Sequence, residues 1–134
     1  MLCSVLYDEG YVVEAVKNGK EAIKACEKSP FDVALIDIEL PDMKGTELLY
    51  RLKKLQPGMI RIIVTGHPTL ESAIKAVNEK ADGYILKPFE VTELLKMIAR
   101  LLTEKTNEYL SFKAENARGK ESTPTVKYQR PENW

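Results

Sequence analysis

One segment constrains the fold more than any other. Val33-Ala34-Leu35-Ile36-Asp37-Ile38 is apolar on both faces of the strand it would form, with a single carboxylate near its end. A strand buried on both sides belongs in the middle of a parallel sheet covered by helices above and below. Three other short, β-branched-rich segments share its character: Tyr11–Val16, Ile60–Thr65 and Gly83–Leu86. Helical patterns separate them. In Lys20–Lys28 the apolar residues Ala22, Ile23, Ala25 and Cys26 recur at helical spacing after Asn18-Gly19. Thr46–Leu55 sets Leu48, Leu49, Leu52 and Leu55 on one side and stops at Pro57-Gly58. Leu70–Asn78 has an apolar face of Leu70, Ala73, Ile74 and Val77, with Thr69 as its N-cap. The last helix starts near Val91 and runs through Leu94, Leu95, Ile98, Leu101 and Leu102. Such alternation, with short connections, predicts βαβ units in a doubly wound parallel sheet.

The first segment does not complete a unit. Leu2–Glu9 reads as the last two turns of a helix, with Gly10 as its stop. A helix in this architecture follows a strand, and none precedes it, so the sheet is expected to lack its first strand. That strand would be central. Three or four fully buried apolar side chains contribute roughly 5–12 kcal/mol, against a whole-domain margin of about 5–15 kcal/mol. Three outcomes answer the gap: neighbouring strands close up, a partner or the tail fills the groove, or the protein begins upstream. The tail is expected to be a poor substitute. Thr125–Gln129 (TVKYQ) alternates like a half-exposed strand, where a central one should be apolar throughout.

Two regions follow: residues 1–102 as the folded domain and residues 103–134 as an extension of the last helix plus a tail. Tyr109, Leu110 and Phe112 could carry the apolar stripe of that helix to about Ala117, before Gly119. The tail is too short for a DNA-binding domain and has no helix-turn-helix pattern.

Lysine plus arginine equal aspartate plus glutamate at 20 each, so charge gives no reason to expect a nucleic-acid or membrane partner. Two cysteines without a C-x-x-C spacing argue against a disulfide framework or a zinc site. No membrane-length apolar run and no signal-peptide pattern is present, and the cytoplasm is the expected compartment.

In doubly wound sheets, ligands bind outside the carboxyl ends of the strands. Three strands end there on chemically useful residues: Asp37, Thr65 and Lys87. A carboxylate can attack a phosphoryl group or bind magnesium. A lysine supplies a point charge to one phosphoryl oxygen and a threonine a hydrogen bond to another. Taken singly, each has a plain reading: a turn cap, a strand threonine, a surface lysine.

Three ordered segments, Phe31–Gly45 (FDVALIDIELPDMKG), Ile62–His67 (IIVTGH) and Gly83–Phe89 (GYILKPF), resemble the signature segments of response-regulator receiver domains, the CheY-like superfamily with a flavodoxin-like fold. The resemblance extends from about Leu2 to Leu102. It implies a two-component phosphorelay receiver in which Asp37 accepts a phosphoryl group from a sensor histidine kinase. Thr65 and Tyr84 match the switch pair, and Lys87 the residue that clamps the phosphoryl, followed by a cis bond to Pro88. The backbone carbonyl of Glu39 would join Asp37 as a magnesium ligand, while the side chains of Glu39 and His67 stand where phosphoryl lifetime is tuned. Downstream proteins would read the family's fourth helix and fifth strand, here Leu70–Asn78 and Gly83–Leu86, and a homodimer of this chain is left open. Enzymatic activity would be at most phosphotransfer and autophosphatase. One departure matters. The family's acidic pair at the end of the first strand is absent, and Asp8-Glu9 matches the end of the first helix instead. Magnesium binding is expected to be weak or lost, and phosphotransfer impaired. The alternative is a degenerate receiver serving as a phosphorylation-independent interaction module. Another doubly wound enzyme is disfavoured by the missing Gly-rich phosphate loop.

Overall fold

The computed structural model describes residues 2–116 and 125–129. Five helices and five strands occur in the order α1 (Leu2–Asp8), β1 (Val12–Val16), α2 (Gly19–Lys28), β2 (Val33–Asp37), α3 (Gly45–Leu55), β3 (Ile60–Thr65), α4 (Leu70–Asn78), β4 (Gly83–Leu86), α5 (Val91–Asn116) and β5 (Thr125–Gln129). Every strand pairing is parallel. The spatial order is β1-β5-β2-β3-β4.

Local chemistry explains the boundaries. Gly10 ends α1 with φ at +93°, a conformation that costs glycine little. Asn18 caps α2 by accepting the backbone N–H of Glu21, and Thr69 with Ser72 forms a reciprocal capping box on α4. The strands β2 and β3 are buried along their whole lengths, as apolar-on-both-faces segments should be. One core layer packs Leu6, Leu94, Ile98 and Leu101 against Val33, Leu35, Ile62 and Val64. The other packs Ala22, Leu48, Leu49 and Leu52 against Ala34, Ile36 and Ile63. Of the leucine face expected on α3, Leu55 lies outside the core, at 40% exposure.

The tail corrects one expectation. Rather than leaving the central slot open, β5 fills it, between β1 and β2. Val126 stands in register with Val13 and Val33, and Tyr128 with Ala15 and Leu35. The alternation that argued against the tail is still there: Lys127 is paired with Glu14 on one side and the buried Ala34 on the other. The slot favours occupancy because β2 is buried along its length, and an unpaired edge there would leave a row of N–H and C=O groups unsatisfied; among the described residues β5 is also the strand neighbour of β1. A parallel sheet brings the carboxyl ends of all five strands to one edge, and there the candidate residues meet.

Candidate functional site

Asp37 is the last residue of β2 and is buried at 6% exposure. Its two carboxylate oxygens have different partners. Oδ1 accepts the backbone N–H of Glu39 at 2.8 Å, and Oδ2 accepts the Lys87 ammonium at 3.0 Å. Lys87 lies one residue past the end of β4, which stops at Leu86. The strand has the expected bounds, Gly83–Leu86, and the residue that follows it carries the ammonium to the site. The Lys87–Pro88 bond is cis.

Thr65 ends β3 and is buried at 1%. Its hydroxyl accepts the backbone N–H of His67 at 3.0 Å, and its carbonyl accepts the backbone N–H of Lys87 at 2.8 Å. The β3 and β4 ends are therefore tied together beside Asp37. Because a hydroxyl both accepts and donates, Thr65 keeps a proton to offer an incoming oxygen. Tyr84 is half-buried against the core layer formed by α2, α3 and α4, and its buried hydroxyl has no hydrogen-bond partner among the described residues. The side chains of Glu39 and His67 are both exposed.

The loop after Asp37 is closely built. Gly45 donates its N–H to the carbonyl of Ile38 at 2.6 Å. A Cβ on Gly45 would overlap the Asp37 carbonyl oxygen and lie 2.6 Å from the Ile38 Cα. Asp42, in the same loop, accepts the N–H groups of Gly19 and Lys20 at 2.9 and 3.0 Å, clasping the start of α2. Burial is the largest single influence and raises its pKa, but the N–H groups of Gly19, Lys20 and Asp42 itself, with the charge of Lys20, together outweigh it and hold the carboxyl below its ordinary value. Neither Gly45 nor Asp42 stands out in the sequence, since their roles depend on segments far apart in the chain. A glycine and an aspartate a few residues past β2 are the only local hint.

Magnesium takes about six oxygens in near-octahedral geometry. Among the described residues no cluster of three or more His, Cys, Asp or Glu side chains could hold a metal ion. The strand occupying the central slot, TVKYQ, carries no carboxylate. Asp37 and the carbonyl of Glu39, the ligands that the resemblance implies, supply far fewer oxygens than this cation takes.

Residues 1–99 match the family model of the response regulator receiver domain. The chain belongs to that family. Receiver domains are phosphorylated by sensor histidine kinases and generally bind magnesium at the phosphorylation site. This receiver is 35% identical over 108 residues to the DNA-binding transcriptional regulator NtrC of Proteus hauseri, covering 81% of this chain and 23% of that protein. A CheY-like receiver domain protein from Methanospirillum hungatei superimposes with a TM-score of 0.78 at 43% identity, covering 80% of this chain and 86% of that one. A Burkholderia pseudomallei response regulator, solved with a phosphorylated aspartic acid, calcium ion and citrate, gives a TM-score of 0.68 at 27% identity, covering 88% and 78%. The chain spans less than half the length of curated relatives such as NtrC. No helix among the described residues is long and apolar enough to cross a membrane.

Proposed function

We propose that Asp37 is the phosphoacceptor of this receiver, with Lys87 and Thr65 as its catalytic partners. The reading rests on one observation above the rest: the Lys87 ammonium sits 3.0 Å from Asp37 Oδ2 at the edge where β2, β3 and β4 end. In the reaction, a carboxylate oxygen of Asp37 attacks the phosphorus of a kinase phosphohistidine. The P–N bond breaks, an acyl phosphate forms, and the imidazole leaves. Lys87 passes its charge-assisted hydrogen bond from the carboxylate to a phosphoryl oxygen, and Thr65 donates its hydroxyl proton to another. Thr65 can give that hydrogen bond while its oxygen still accepts the His67 N–H, and Tyr84 is the second member of the switch. Water then hydrolyses the acyl phosphate and returns Asp37.

The reduced donor set argues that magnesium, touching only Asp37 and the Glu39 carbonyl, is held weakly and that transfer is slow. Residues 1–102 form the receiver unit in this reading, extended by 103–134, and the compartment is the cytoplasm. The downstream partner is a protein that docks on α4 and β4, where Leu70, Ile74, Val77 and Leu86 are exposed. That exposed face also favours the second reading, an interaction module that works without phosphorylation. Incubation with magnesium and a small-molecule phosphodonor, followed by intact mass measurement, separates the two. A phosphoryl adduct that is lost in Asp37→Asn supports the acceptor. A folded protein without any adduct supports the module.

A further inference from the structure

The loop that follows Asp37 is a small hairpin whose base and tip hold different things. At the base, Glu39 and Lys44 form an antiparallel bridge, the N–H of Gly45 meets the Ile38 carbonyl, and the N–H of Glu39 holds Asp37 Oδ1 at 2.8 Å. At the tip, Asp42 directs both carboxylate oxygens to the first turn of α2, where they accept the N–H groups of Gly19 and Lys20. Met43 packs so closely on Gly19 that a Cβ there would lie 2.5 Å from the sulfur. On its other flank the loop borders an open cavity of about 460 Å³, with Ile38, Leu40 and Lys44 on one wall and Ser72 and Lys75 of α4 on another. The hairpin is thus anchored on the α2 side and faces open space on the α4 side.

Two residues, Leu40 and Pro41, separate the clasp from Glu39. Proline fixes its own φ, so a displacement at Asp42 passes to the Glu39 peptide with little slack. That peptide matters during the reaction. When Lys87 turns from the carboxylate to a phosphoryl oxygen, the Glu39 N–H stays on Oδ1 and keeps the carboxylate from rotating about its Cβ–Cγ bond. Attack on phosphorus needs the nucleophilic oxygen aligned with the bond that breaks, and a small misplacement of a reacting group costs a large factor in rate.

We propose that Asp42 is a positioning residue for phosphoryl transfer: by clasping the start of α2 it holds the hairpin where the Glu39 N–H orients the Asp37 carboxylate. The inference rests on Asp37 as the acceptor, and it couples the first turn of α2 to the acceptor site through Asp42, Pro41 and Glu39. Because Asp42 is exposed, its replacement leaves the core intact.

The rate of acyl phosphate formation on the full chain, followed by intact mass with phosphoramidate at fixed magnesium, tests the proposal. Asp42→Ala should lower that rate about tenfold. Asp42→Asn keeps one oxygen for the clasp and should recover part of the loss. Asn18→Ala is the structural control: it removes the side-chain cap on Glu21 at the same helix end but leaves Asp42 in place, and its rate should match that of the parent chain. Equal slowing in Asn18→Ala, or the parent rate in Asp42→Ala, overturns the proposal. The Glu39 amide gives a reading that needs no phosphodonor. Its proton, bonded to a carboxylate, should shift upfield in Asp42→Ala while circular dichroism stays native. An unmoved Glu39 signal overturns the proposal even if the rate falls. If the parent chain takes up no phosphoryl group, the acceptor reading fails, and the Glu39 signal then decides whether Asp42 positions the carboxylate.

Discussion

Gly45 has no room for a side chain, and what it would strike is the peptide of Asp37 itself. Gly45→Ala must therefore move either the loop or the end of β2. Overpacking of this kind costs about 1–3 kcal/mol. A urea titration should record that loss, and the yield of phosphoryl adduct should fall with it. An unchanged yield would mean that the Asp37 peptide adjusts freely. Tyr84 offers the opposite case. Its buried hydroxyl lacks a partner among the described residues, a situation that costs roughly 1–3 kcal/mol. Tyr84→Phe should leave stability unchanged or raise it by up to about 1 kcal/mol, whereas a clear loss would reveal a hidden partner. Asp37, Thr65 and Lys87 were legible in the sequence because each marks the point where an apolar run stops. Gly45 and Asp42 were not, because their partners, the Asp37 peptide and the start of α2, are brought to them only by the folded sheet.

At the scale of elements, the buried Arg61 holds α3 and α4 to the sheet. Its guanidinium donates to the carbonyls of Leu49, Glu79 and Lys80 at 2.8, 3.1 and 2.6 Å. Burial lowers its pKa, an effect opposed by Asp82 and Glu79. Arg61→Met preserves much of the volume but strips donors from three carbonyls, so a loss of about 3 kcal/mol or more is expected in denaturant melts. Nothing in IRIIVT announces this: a lone arginine in a β-branched strand reads as an edge or surface residue until the helix ends that surround it are known. Lys80, just past α4, has φ at +59°. Lys80→Gly should stabilise by about 0.5–1 kcal/mol, because glycine accepts that conformation without strain. Asp42 adds a pH dependence. Its carboxyl is held below the ordinary value of 3.8, so the clasp on α2 stabilises above that value and is lost as pH falls through the folded pKa. The amide signals of Gly19 and Lys20 should titrate together in that acid range, and Asp42→Asn should abolish the transition. The helices and the first four strands were legible to within a residue or so, because each follows from local periodicity and a capping or stop residue.

For the molecule as a whole, the position of β5 is the feature that local pattern missed. TVKYQ was recognisable as a strand, but its alternation pointed to a half-exposed setting. The closing of a central gap is a property of the entire sheet, and a five-residue segment does not reveal it by its own alternation. Removal of residues 117–134 should leave β1 unpaired and cost several kcal/mol, a large share of a domain's usual margin of about 5–15 kcal/mol. Loss of the cooperative thermal transition would show it, whereas an unchanged melting temperature would mean that β5 contributes nothing to the sheet. The same sheet gathers Asp37, Thr65 and Lys87 at one edge, and the claim that matters most is that Asp37 receives the phosphoryl group there. The most direct measurement traps the product: incubation with a phosphodonor, borohydride reduction of the acyl phosphate, and peptide mapping. Homoserine at position 37, absent from Asp37→Asn and diminished in Lys87→Ala, is the expected result. Modification at any other carboxylate, or none in a folded sample, would contradict it.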